Sequence, residues 1–390
     1  MIPRTAERVV RSLLKGFPVL TITGPRQSGK TTLARAVFPD RPYASLEDPD
    51  VREAARDDPR SFLERFRNGA VLDEVQRSPD LLSYLQSHVD AGKRMGRFIL
   101  TGSQQFGLLS SVTQSLAGRT AFVELLPFSL EELAAADRLP ADTDGALLTG
   151  CYPPLYDRDL APAAWFGAYV TAYVERDVRQ MLKIQDLETF QRFVRLCAGR
   201  TGQLLNLSSL ATECGITHNT AKAWISVLEA SYLVFLLRPH HANFNKRLVK
   251  TPKLYFLDTG LLSWLLGIRT AEQLETHPLR GSIFETMVVA ELAKARLHRG
   301  ERPNLYFWRD SSGNEVDVVA EQGNALIPVE IKSGKTVTGE AFASLEKWRQ
   351  LAGKASRKPT LIHGGTERYQ RNGVSVVGWR ESAGVLVSPP

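Results

Sequence analysis

Along the first third of the chain, short continuous apolar runs alternate with stretches of helical spacing. "VLTIT" (19–23) reads as a buried strand, "GAVLDEVQ" (69–76) as a second strand ending in acids, "GRFILTGSQQ" as another buried-strand pattern, and a further strand follows Arg119. "TTLARAVF" follows the first of them with helix-forming residues. Strands that alternate with helices predict an α/β fold around a parallel sheet. Pro- and Ala-rich sequence between Leu139 and Ala164 closes this region, and "AWFGAYVTAYVERDVRQMLKI" then takes up a helical period. In "LSSLATECGITHNTAKAWISVLEASYLV" a short helix, a turn at Cys214 and Gly215, and a second helix from about Thr217 to Ala230 are expected. From Gly281 the pattern reads helix, then strands "LYFWRD", "NEVDVVAE" and "ALIPVEIKSG", with a turn at 322–324. Four segments follow from this reading: 1–160, a helical connector at 161–200, 201–265 and 270–390.

A length of 390 residues suits two or three domains, each with a core of its own. With 43% hydrophobic and 23% charged residues and no apolar run of membrane-crossing length, no membrane partner is expected. Arg4, Glu7, Arg8, Arg11 and Lys15 interrupt the first residues, which therefore lack a signal-peptide core, and a cytoplasmic location is expected. Cys151, Cys197 and Cys214 are too widely spaced for a disulfide framework or a zinc knuckle. The net charge of +7 permits an anionic partner, and its placement matters more than its total.

The first strand runs into "GPRQSGKTT", which has the spacing GxxxxGK[ST] in the strand-to-helix context that a phosphate-binding loop requires. Gly24, Pro25, Arg26, Gln27, Ser28, Gly29, Lys30, Thr31 and Thr32 are the candidate ATP contacts. The glycines let backbone N–H groups face the phosphates, Lys30 can reach the β and γ oxygens, and Thr31 can offer its hydroxyl to Mg2+. "VLDEVQ" ends a second strand with Asp73 for the magnesium shell and Glu74 to polarise the attacking water. A third strand ends in Thr101, Ser103 and Gln104; Ser103 is either a γ-phosphate sensor or a helix cap. Arg119, just before a fourth strand, is either an arginine finger acting on a neighbouring subunit or a surface ion pair.

"GPRQSGKTT", "LDEVQRSPDLL", "FILTGSQQF" and "LAGRTAFVELLPFSLEEL" together resemble the bacterial and archaeal AAA-type (AAA_14-type) ATPases that carry a DUF4143 carboxyl-terminal region. The likeness continues through "YVTAYVERDV" and "KLYFLDTGLLSWLLG" to "IPVEIKSGK". It implies an AAA+ P-loop parallel-sheet domain, then a winged helix, then a restriction-endonuclease-like α/β domain. One departure is "GCYPPLY", where relatives often show a double glycine before the Tyr-Pro.

In the helix-turn-helix, Ala211 permits close helix crossing, while Leu210, Ile216, Trp224, Ile225 and Leu228 supply a shared core. His218, Asn219, Thr220 and Lys222 start the second helix, where a reading helix presents side chains to a groove. "RPHHANFNKRLVKTPK" (238–253) carries Arg238, Lys246, Arg247, Lys250 and Lys253 and no acid, as a wing lying along phosphates would. DNA is the expected partner, with an interdomain or subunit contact as the alternative. Arg176, between Glu175 and Asp177, reads as an ion pair, and His240, His241 and Asn243 as wing residues.

At the carboxyl end, alternation in "VEIK" puts Glu330 and Lys332 on one face, a hairpin can set Asp317 beside them, and Glu285 can approach from the preceding helix. The set resembles the PD-(D/E)xK nuclease pattern, which implies a second divalent-metal site, and carboxylates held so close should show a raised pKa. The whole chain thus reads as a homo-oligomeric, Mg-ATP-hydrolysing AAA+ protein that remodels or processes DNA. The alternative is a nucleotide-controlled switch or scaffold whose nuclease-like domain cuts nothing.

Overall fold

The structure, a computed structural model, describes residues 1–92, 94–103, 112, 114–158, 160–174, 186–240 and 249–386. It divides into two compact units. The first comprises Met1–Phe128 with Ala230–Tyr232 and Leu297–Glu301; the second comprises Ser129–Glu229, Leu233–Arg296 and Arg302–Pro390.

The first unit is built on five strands: β1 (Val19–Thr23), β2 (Tyr43–Ser45), β3 (Ala70–Asp73), β4 (Phe98–Gly102) and β5 (Thr120–Glu124). They lie in the order β2-β3-β4-β1-β5, every pairing parallel. All residues of β1, β3 and β4 are buried, as their unbroken apolar runs require of strands covered on both faces. Leu20, Ile22, Val71 and Ile99 face a core with Ala6, Val10, Leu33 and Val37. Val19, Leu72, Phe98 and Leu100 face another with Phe62, Leu63, Leu81, Leu85 and Val89. The register pairs Thr23 with Gly102 and with Glu124, so these strands end together and their following loops share one edge. Ligands of open α/β sheets bind at that edge. Helix α1 (Lys30–Val37) starts there, directly after the glycine-rich loop.

The second unit carries β6 (Val234–Pro239), β7 (Lys253–Phe256), β8 (Leu305–Arg309), β9 (Glu315–Gln322), β10 (Ala325–Lys332), β11 (Thr360–His363), β12 (Tyr369–Arg371) and β13 (Val374–Gly378) in one mixed sheet. Its order is β12-β13-β11-β10-β9-β8-β6-β7. Trp308 and Trp348 meet edge to face at 5.5 Å in its core, with Val319, Leu345 and Leu361. Helices α2 (Leu207–Cys214) and α3 (His218–Ala230) form the two-helix pair. Asn206 caps α2 by accepting from the Ser209 N–H at 3.0 Å, and Gly215 ends it at φ 69°, a left-handed conformation glycine adopts without strain. Thr217 caps α3 through the Thr220 N–H at 3.1 Å. Leu210, Trp224, Ile225 and Leu228 are buried as expected, with Phe190 and Phe193 edge-on to Trp224 at 5.2 Å; Ile216 is half-buried. The long helix α4 (Arg280–Leu297) buries apolar residues on most of its circumference.

The stretch 238–253, expected to form a wing, begins and ends in strands of this sheet, and 241–248 lie outside the described residues. β6 pairs antiparallel with β7, Leu237 opposite Lys253, and parallel with β8, Arg238 opposite Tyr306. Residues 201–265 and 270–390 therefore share one sheet. Lys246, Arg247, His241, Asn243, Arg176 with its acidic neighbours, and Gln104 lie outside the described residues.

Candidate functional site

At the shared edge of the first sheet the chain turns from β1 into α1 with Gly24 pressed against a neighbouring strand. A Cβ at Gly24 would sit 2.1 Å from the Leu125 carbonyl oxygen. Gln27 takes a left-handed φ of 60° and Gly29 one of 92° as the helix N-cap, with no side-chain cap on the helix start. A helix start so uncapped is disposed to receive an anion. Among the described residues, Gln27 Oε1 and Ser28 Oγ are buried without a hydrogen-bond partner. Lys30 is buried and its Nζ donates to the Pro25 carbonyl at 2.7 Å, folded back over the loop that phosphates would fill.

Thr31 Oγ1 donates to both Asp73 oxygens, at 3.1 and 2.9 Å. Adjacent ligands of an octahedral Mg2+ at about 2.1 Å lie about 3.0 Å apart, so this pair fits the ion's first shell. Asp73 also accepts from Thr101 Oγ1 and, at 2.7 Å, from the Tyr43 hydroxyl. Burial and then Asp73 push the Tyr43 hydroxyl pKa well up, so it stays a donor to the carboxylate. Glu74 has φ 54°, which a non-glycine residue adopts only at a cost. Its Oε2 accepts from Ser103 at 3.1 Å and from the Gln76 amide, and that amide lies 3.4 Å from Ser103 Oγ. Ser103 thus reaches the nucleotide edge, but its hydroxyl is directed at Glu74.

Arg119 departs from the expectation of a catalytic finger. It precedes β5 at Thr120, which pairs with Val19, so it lies at the edge opposite the glycine-rich loop. There it makes a two-point pair with Asp90, 2.6 and 2.8 Å, which is the ion-pair alternative. Tyr232 was not singled out in the sequence. It belongs to this unit, has a left-handed φ of 57°, and its hydroxyl lies 2.8 Å from Thr23 Oγ1, immediately before Gly24. Its hydroxyl also meets Glu124, whose carboxyl burial holds above the ordinary range while that contact opposes the rise.

In the second unit, His218, Asn219 and Lys222 are exposed at the start of α3, with Thr220 half-buried, and Lys250 is exposed. Lys253, expected on the wing, is buried instead. Its ammonium lies 3.2 Å from Glu285 Oε1 and contacts Glu315. The expected carboxylates do share one face. β9 and β10 pair Val318 with Val329, which sets Asp317 across from Glu330 as the ladder continues. Burial and then Glu330 and Glu285 raise the Asp317 carboxyl well above its usual range; burial also raises Glu330.

Both oxygens of Glu315 and Glu330, and one oxygen each of Glu285 and Asp317, meet protein donors. Glu285 Oε1 also accepts from the Tyr255 hydroxyl, Glu315 Oε2 from Arg309 at 3.3 Å, and Asp317 Oδ2 from the Ile331 N–H at 2.7 Å. Glu330 accepts from Lys332 at 2.6 Å and Ser344 at 2.7 Å. Among the described residues no group of three His, Cys, Asp or Glu side chains is arranged to hold a metal ion. The expected metal set of Glu285, Asp317 and Glu330 is therefore assembled on one face, with Lys253 and the Tyr255 hydroxyl on Glu285 and Lys332 and the Ser344 hydroxyl on Glu330, where a divalent ion was expected.

No helix among the described residues is long and apolar enough to cross a membrane. Residues 16–134 match the AAA domain family AAA_14, 141–272 match DUF8612 and 280–381 match DUF4143, the last two described as domains of unknown function. The chain is 34% identical over 339 residues to the uncharacterized proteins Rv2008c of Mycobacterium tuberculosis (strain ATCC 25618 / H37Rv) and Mb2031c of Mycobacterium bovis (strain ATCC BAA-935 / AF2122/97). The match spans 85% of this chain and 74% of each relative. Among solved structures, the Walker-type ATPase PABY2304 of Pyrococcus abyssi is similar at 15% identity and a TM-score of 0.46, over 68% of this chain and 96% of that one. AMPPCP-bound DnaA from Aquifex aeolicus is similar at 16% identity and a TM-score of 0.31, over 57% of this chain and 86% of that one. By its sequence relatives and the families matched, the chain belongs to the AAA-type P-loop ATPases with a carboxyl-terminal DUF4143 region.

Proposed function

We propose that this nucleotide-binding protein hydrolyses Mg-ATP and couples the cycle to work on DNA as a homo-oligomer. The observation that carries the hydrolytic part is the meeting of Thr31 and Asp73 at 2.9 Å beside Glu74. Bound Mg-ATP supplies the phosphoryl group to be transferred. Thr31 and Asp73 would hold the ion, with Tyr43 and Thr101 fixing the carboxylate. Lys30 exchanges the Pro25 carbonyl for phosphate oxygens, a stronger, charge-assisted contact. Glu74 accepts the proton of the attacking water once its contacts with Ser103 and Gln76 loosen. Gly24, Pro25, Arg26, Gln27, Ser28, Gly29 and Thr32 complete the phosphate cradle.

DNA as the substrate is supported by the winged-helix reading, in which α3 presents His218, Asn219 and Lys222 to solvent while Lys250 adds charge. Measuring ATP turnover with single-stranded, duplex and branched DNA tests the coupling. Stimulation by one form is expected, and turnover indifferent to all three refutes it. A second reading, a nucleotide-controlled switch that binds partners without cutting, is favoured by the ion pairs of Lys253 with Glu285 and Glu315.

A further inference from the structure

A charged lysine inside a carboxylate cluster does what a metal ion does there: it neutralises acids that would otherwise repel. Lys253 is 4% exposed and touches both Glu285 and Glu315. Contact with two carboxylates holds it as an ammonium in spite of its burial. The backbone fixes it in place. β7 pairs with β6 on one side, Leu237 opposite Lys253, and bridges Leu204 to Lys253 on the other. Phe307 lies under the ammonium, with its ring centroid 5.7 Å from Nζ. Tyr255, two residues along the same strand, points to the same face and donates to Glu285.

We propose that Lys253 is a built-in cation that occupies the place of the divalent ion, and that the cluster of Glu285, Glu315, Asp317 and Glu330 is metal-independent. β7 delivers one positive charge to acids that α4 and β9 present, and Lys332 delivers a second to Glu330 from β10. The domain then keeps its acidic face in a form whose charge is compensated by lysines in place of a metal ion. This inference is independent of whether the first unit hydrolyses ATP.

Mn2+ is the probe, titrated into the nucleotide-free, full-length Asp73→Asn protein and followed by the loss of its free-ion paramagnetic resonance signal. No stoichiometric binding is expected up to about 1 mM. Lys253→Met in the same background should bind at least about tenfold more tightly, since an opposite charge at contact distance shifts a carboxylate by about 1–3 pKa units. Mn2+ should also raise the melting temperature of that variant and leave the parent unmoved. Stoichiometric binding by the parent that disappears on Glu330→Gln overturns the proposal, as does a folded Lys253→Met protein with no gain. Should Lys253→Met and Lys253→Gln both fail to fold, the parent titration with its Glu330→Gln control decides alone.

Discussion

Replacing Tyr232 by phenylalanine keeps the ring and deletes one hydroxyl, and its effect should depend on pH in a direction the structure fixes. The hydroxyl touches Thr23 Oγ1 at 2.8 Å and opposes the burial-driven rise of the Glu124 carboxyl. A carboxyl raised above its unfolded value contributes stability that is fully present below the ordinary glutamate range and is lost as pH rises through its folded value. Without the hydroxyl, Glu124 rises further, so the added loss accrues on the alkaline side of that window. When Glu124 is neutral, the variant forgoes only an uncharged hydrogen bond, about 1 kcal/mol. When it is ionised, a buried carboxylate loses a donor, which costs about 1.5–3 kcal/mol. At about 3–4 °C per kcal/mol for a unit of this size, the melting temperature should fall by about 3–4 °C at the acid end of the Glu124 titration and by about 5–10 °C at its alkaline end. Thermal melts of both proteins across that range measure it. A depression equal at the two ends refutes the role given to Glu124. Because Thr23 leads into Gly24, the variant should also need more ATP for half-maximal turnover, with the maximal rate less affected.

Lys30→Ala should abolish ATP binding at concentrations that saturate the parent, measured by a fluorescent nucleotide, whereas Glu74→Gln should bind ATP and turn over about a hundredfold or more slowly. Full hydrolysis by both variants removes the catalytic assignment. Tyr43→Phe takes one donor from Asp73 and should weaken Mg-ATP binding by several-fold, about 1 kcal/mol, in an isothermal titration; unchanged affinity means that Thr31 and Thr101 suffice to hold the carboxylate. Neutralising Lys222 and Lys250 to glutamine should lower the salt slope of duplex DNA binding by about 2 in fluorescence anisotropy, one for each lost phosphate contact. An unchanged slope assigns both lysines to solvent alone.

The nucleotide edge was legible because its signals are local. A glycine-rich turn between an apolar run and a helix announces itself by spacing, and Asp73 and Glu74 end another such run. Tyr43 and Tyr232 gave no such signal: one sits on a three-residue strand, the other follows α3, and only the tertiary fold brings them to Asp73 and Thr23. Arg119 was ambiguous because the sequence does not say which end of a strand faces the ligand, and the register of β1 with β5 decides it. Alternation correctly set Glu330 and Lys332 on one face, and the hairpin brought Asp317 across from them. The basic stretch misled at Lys253 because charge composition says where cations are abundant, not which one a strand turns inward.

The sheet of the second unit has a consequence for how such chains are cut and inherited. β6 and β7 lie within the stretch that matches DUF8612, and β8 to β13 within the stretch that matches DUF4143, yet β6 pairs directly with β8. A break in residues 273–279 would strip β8 of its neighbour and leave an open strand edge carrying the buried Leu305 and Phe307, a template for aggregation. It would also part Lys253 from the acids it neutralises, stranding Glu285 and Glu315 on one fragment and their ammonium on the other. Two regions that sequence comparison separates are one piece of architecture, so a recombination point between them joins a cation to a foreign set of acids, and the pair should travel through evolution together.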